Sequence, residues 1–143
     1  MKQIVTILAL VILTAFFVSM PLSREQHYHG SSILIAPDLL NNQQLYLKSK
    51  PYWFSDIQVC DHNGYVIESP FSYSELFNLL RSQPLTNHRP TKHLSLLYQV
   101  NIRYVHESNI ANVQTIRFYT NGYFDISKIN SSIRYYGCTS TSV

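Results

Sequence analysis

The chain reads as an α+β protein. An N-terminal membrane-spanning or signal helix precedes a small antiparallel sheet with one helix packed on one face, in the order β-β-α-β-β-β. Three observations predict this. Ile4 to Met20 carries no charged residue, and only Thr6, Thr14 and Ser19 interrupt its apolar run. Ser72 and Glu75 stand at capping-box spacing just ahead of a helical apolar stripe. Tyr98, Val100, Ile102 and Tyr104 alternate with Gln99, Asn101 and Arg103, the signature of a strand buried on one side only.

The leading run spans seventeen residues. As a helix it reaches about 25 Å, and Pro21 and Leu22 bring it close to the ~30 Å of a bilayer core. Signal-peptide cores overlap this length. Signal peptidase selects small residues at positions minus three and minus one, and the available cuts offer Phe17, Leu13 or Pro21 at minus three. Residues 1–22 are therefore expected to be an uncleaved single-pass anchor, with a cleaved leader as the alternative. Lys2 and the amino terminus favour the cytoplasmic side. The rest of the chain is then periplasmic or extracellular, or secreted if the leader is removed.

Residues 23–51 are weakly patterned. Gln26 to Ser32 reads as a polar tether, Ile33 to Ile35 as a short strand stopped by Pro37, Asp38 to Leu40 as a short helix, and Leu45 to Leu47 as a strand. The folded domain is expected over 52–129. Ile57 and Val59 alternate with Asp56 and Gln58, and Asp61-His62-Asn63-Gly64 marks a turn. A three-residue loop, His62 to Gly64, sets Val59 across from Ile67, with Cys60 and Val66 on the other side. The helix carries Tyr73, Leu76, Phe77 and Leu80 on one stripe, is stapled by Phe71 against Leu76, and stops before Pro84. Glu107 to Asn112 reads as a polar loop.

Val113 to Tyr119 and Tyr123 to Ile129 form the last hairpin. A two-residue Asn121-Gly122 turn would set Phe118 against Asp125 and mix polar with apolar groups on both faces. A three-residue loop, Thr120 to Gly122, instead pairs Phe118 with Phe124, Ile116 with Ile126 and Arg117 with Asp125, and is preferred. Residues 130–143 form a Ser- and Thr-rich tail. Cys60 and Cys138, once exported, are expected to form a disulfide that straps this tail across the first hairpin and contributes about 4 kcal/mol.

Eleven Lys and Arg stand against eight Asp and Glu. With Lys2 assigned to the anchor, the surplus is too small to point to nucleic acid as a partner. Four glycines and no phosphate-cradling loop weigh against nucleotide chemistry. His27 and His29 share one side of an extended chain and are weak candidate metal ligands, lacking an identifiable third. Asn87 to His93 is the most basic stretch, with His88, Arg89, Lys92 and His93 placed to meet an acidic surface. Tyr52, Trp53, Tyr135 and Tyr136 offer amphipathic contact area. Asn130-Ser131-Ser132 matches a glycosylation acceptor, relevant only in a eukaryotic or viral source.

These features imply no cofactor and no catalytic residue. They point to a membrane-tethered binding domain of the cell envelope, of the inhibitor, immunity or accessory-subunit type. Its expected partners are the bilayer, through residues 4–22, and another envelope protein. Two alternatives stand beside this: an extracytoplasmic metal-binding or sensor module using His27 and His29, and a hydrolase with a dispersed active site.

Overall fold

The structure, a computed structural model, describes residues 28–40 and 44–139. The expected anchor and His27 lie outside the described residues. Among the described residues, no helix is long and apolar enough to cross a membrane.

The body is α+β. Its frame is an antiparallel sheet built from β2 (Gln44–Leu47), β3 (Lys50–Asp61), β4 (Val66–Ile67), β6 (Leu96–His106), β7 (Asn109–Tyr119), β8 (Tyr123–Ser127) and β9 (Arg134–Cys138). The strand order is β2-β3-β6-β7-β8-β9, and β4 pairs with the far end of β3. Two short strands, β1 (Tyr28–His29) and β5 (Pro84–Leu85), pair with each other. Thr86 then bridges to Tyr136 and covers part of the β9 edge.

One face of the sheet carries the helices. Helix α2 (Tyr73–Leu80) begins at Ser72, whose hydroxyl accepts from the Glu75 N–H, and this cap satisfies one orphan donor of the first turn. Tyr73, Leu76 and Leu80 are buried against the sheet, as the apolar stripe requires. Phe71 packs edge-on against Phe118. The helix stops at Leu80, short of the Ser82 or Gln83 that Pro84 would allow, with Arg81 as its cap.

Both hairpin registers follow the expectation. Val59 pairs with Ile67 and Cys60 with Val66. Gly64 takes φ +85° in the turn between them. Phe118 pairs with Phe124, Arg117 with Asp125 and Ile116 with Ile126. Gly122 supplies the left-handed residue at φ +82°. Apolar pairing thus outweighs the two-residue preference of Asn-Gly.

Four expectations need correction. First, the presumed tether joins the body from Tyr28 onward. Gly30–Ile33 forms a helical turn, α1, rather than leading into a strand, and Pro37–Leu40 forms a 3-10 turn. A side chain at Gly30 would put its Cβ 1.8 Å from the Leu80 carbonyl oxygen, so glycine permits this approach. Gln114 reaches across from β7 to hold the segment. Its amide oxygen accepts from Ile35 N–H at 3.0 Å. Its amide nitrogen donates to the carbonyls of Ile33 at 2.8 Å and Ser127 at 2.9 Å. The Tyr73 and Tyr104 hydroxyls donate to Ile35 and Leu39 carbonyls.

Second, Glu107 to Asn112 is a tight hairpin, not a loop. Glu107 takes φ +55°, and strand pairing resumes at Asn109 opposite His106. Third, the tail forms β9 against β8. Fourth, Cys60 and Cys138 are free. Cys60 lies in β3 and Cys138 in β9, separated by β6, β7 and β8. Four inter-strand steps amount to about 19 Å, whereas a disulfide needs its Cα atoms within roughly 7 Å. The tail therefore closes the opposite edge from the one the bridge demanded.

Candidate functional site: the open face of the sheet

Alternation gives the sheet a second face, and none of the described helices lies on it. Pairing aligns its residues into rows. Gln58, Asn101 and Thr115 form one row, and Cys60, Gln99, Arg117, Asp125 and Tyr136 the next. The side chains bond to one another. Gln99 donates to Asn101 Oδ1 at 3.1 Å, Thr115 Oγ1 donates to the same oxygen at 3.2 Å, and Asn101 donates to Gln58 at 3.4 Å. Arg103 grips Asp56 with two bonds, 2.8 and 2.7 Å. Among the described residues no buried side-chain polar atom lacks a partner.

The densest part of this face is built around Asp125, which is fully buried. Arg134 Nη1 donates to its Oδ1 at 2.7 Å and Arg117 Nε to the same oxygen at 3.3 Å. The Tyr119 hydroxyl donates to Oδ2. The two arginine side chains stay 26% and 29% exposed, so they cover the carboxylate while still facing solvent. Burial, and then the bond to Asp125, push the Tyr119 hydroxyl up to about 12. The tyrosine is held as a neutral donor.

A groove adjoins this cluster at the β9 edge. It encloses ≈ 380 Å³ between Pro84–Thr86, His88 and Pro90 on one side and Tyr123, Tyr136, Gly137 and Cys138 on the other. The Lys92 ammonium lies 5.8 Å from the centre of the Tyr123 ring, within cation–π range. The basic stretch and the C-terminal tyrosine, far apart in sequence, therefore meet at one site.

The other expected residues are scattered. Arg89 and His93 are exposed in the same loop. Tyr135 is 7% exposed and packs edge-on against Tyr28 at 4.8 Å. It is a core residue, because the β9 alternation turns it toward the helices while Tyr136 faces out. Tyr52 leans on His106, whose Nδ1 lies 2.7 Å from the Pro51 carbonyl. Trp53 is exposed beside Val105 and Ile110 at the far end of the open face. His29 is exposed and pairs through its backbone with Pro84. Among the described residues, no group of three or more His, Cys, Asp or Glu is placed to hold a metal ion.

Arg134 and Tyr119 were missed in the sequence. The signal available was alternation through Arg134, Tyr136 and Cys138, which matches that of Tyr123, Asp125 and Ser127. The chain matches no protein-family model, no curated protein and no solved structure.

Proposed function

We propose that this chain is a small binding domain of the cell envelope. It is tethered to the membrane through residues 4–22 and acts by contact with another envelope protein rather than by chemistry of its own. The open face of the sheet carries the reading. Its polar side chains are already bonded to one another, so little side-chain entropy remains to be lost when a partner covers them. Aromatic groups stand at both ends, the exposed Trp53 at one and the half-buried Tyr136 of the groove wall at the other. Interfaces favour such a mixture of Tyr, Trp and Arg. The apolar leader supplies the envelope address, and the contact face works equally well if the leader is removed.

Site-resolved photocrosslinking in intact cells tests this. A photoreactive residue replacing Tyr136 is expected to yield a discrete heavier adduct, and the same residue at Leu79, on the helix layer, is expected to yield none. Adducts at both positions alike, or at neither, would defeat the proposal.

A further inference from the structure

The Arg117–Asp125–Arg134 cluster has a property that a structural ion pair does not need. Two guanidinium groups converge on one carboxylate oxygen, which leaves one positive charge in surplus. Each guanidinium has five N–H donors, and Asp125 engages only Arg117 Nε and Arg134 Nη1. Among the described residues, the remaining donors meet no other protein acceptor. Both side chains are about one-quarter exposed, and the carboxylate that positions them is sealed beneath. The result is a pair of pre-oriented forks facing solvent, the geometry that suits a carboxylate.

The apolar groove adjoins this cluster through Tyr136. Tyr136 pairs with Asp125 across the strands and also lines the groove wall. No Asp or Glu lines the groove, and Lys92 stands above Tyr123 at its mouth. A ligand filling both parts would carry an acidic group next to an apolar side chain. A free inorganic anion would leave the groove empty.

We infer that this end of the open face is a docking site for an acidic peptide segment of the partner, with a carboxylate held by Arg117 and Arg134 and the neighbouring apolar side chain seated in the groove beside Tyr136. This rests on the binding-domain reading above and names its partner chemistry. Because it is measured on the purified chain with a synthetic acidic probe, it can fail while Tyr136 still crosslinks to a partner of other chemistry, and the reverse.

The experiment is an NMR titration of the full chain in detergent micelles with the capped tripeptide Glu-Phe-Glu. Saturable shifts are expected at the Arg117 and Arg134 side-chain Nε–H signals and at the Tyr136 and Gly137 amides. The capped Gln-Phe-Gln tripeptide needs no variant and should bind about tenfold more weakly, the loss expected for a charge-assisted bond. Arg134→Gln leaves Asp125 bonded to Arg117 and Tyr119 and should weaken Glu-Phe-Glu by a similar factor. Equal binding of the two peptides would overturn the proposal, as would unchanged affinity in a folded Arg134→Gln protein. Inorganic phosphate binding as tightly as Glu-Phe-Glu would overturn it in favour of a simple anion site.

Discussion

On the helix-covered face of the sheet, Val100, Ile102, Ile116, Phe124 and Ile126 are completely buried, with one amide, Gln114, among them. On the open face Asn101, Asp125 and Ser127 are almost as deeply buried, but among polar neighbours. The first face is closed by other secondary structure. The second is closed by its own side chains, which lie over one another. Burial on the first face favours shape, since any apolar group of the right volume would serve. Burial on the second is tolerable only because every polar atom is bonded. The same sheet thus contains a packed core and a fixed polar surface, and only the surface can be read by a partner.

The largest effect is expected where a polar group stands on the apolar face. Gln114→Leu nearly conserves volume but leaves the Ile35 N–H and the Ile33 and Ser127 carbonyls without their amide partner. Each buried group left unsatisfied costs roughly 1–3 kcal/mol, so urea unfolding should report a loss of about 3 kcal/mol. A loss below ~1 kcal/mol, within the range of an ordinary core swap, would mean that the segment after Tyr28 is not held by this amide.

Next in size is the charge on the polar face. Asp125→Asn keeps the shape and removes the charge that holds two guanidiniums together. Breaking a fully buried pair costs about 3–5 kcal/mol. Solvent reaches both arginines, so a loss of about 2 kcal/mol is expected. The tyrosine titration gives an independent reading. Burial leads in pushing Tyr119 up to about 12, with Asp125 adding to it, whereas Tyr73 and Tyr104 on the core face are raised chiefly by burial with no carboxylate beside them. In Asp125→Asn the Tyr119 value should fall part of the way toward 10, leaving the two core tyrosines unmoved. A raised value in the folded state means that the proton is held more tightly there than in the unfolded chain. Tyr119 therefore stabilises the fold below its ordinary value of 10.0, and that contribution is lost as pH rises toward 12.

The two faces also differ in how far they could be read from the residues. The helix start at Ser72, the one-sided strand through Tyr104 and the Phe118–Phe124 register were legible because local pattern and core packing agree there. The hairpin through Glu107 was hidden by a bulge. Pairing skips from Ile102–Gln114 to Arg103–Asn112, so Val113 breaks the two-residue period and Ile110 faces the opposite way from Ile116. Strand β9 was hidden by Gly137, a residue that usually weakens a strand. Here a Cβ would meet the Phe124 ring at 2.4 Å, so packing demands the glycine that propensity argues against. The Arg117–Asp125 pair was visible as cross-strand neighbours. Its extension to Arg134 was not, since that required knowing which strand follows β8 at the edge.

The smallest effect is expected from the other ion pair on the open face. Arg103 and Asp56 bond as closely as any ion pair among the described residues, but the Asp56 side chain is 45% exposed. Water screens the attraction, and an exposed pair contributes under about 1 kcal/mol. The hydrogen bond from Arg103 holds the Asp56 carboxyl below its ordinary value of 3.8, so the folded protein gives up this proton more readily than the unfolded chain. The contribution is accordingly complete above that ordinary value and fades as pH falls through the lower folded value. Comparing unfolding of the native chain and Asp56→Asn across the acid range should show two curves separated by a small gap near neutrality that closes only in strong acid. A gap as large as that of Asp125→Asn would mean that exposure does not rank the two pairs, and the division between a sealed charge and a screened one on this face would have to be abandoned.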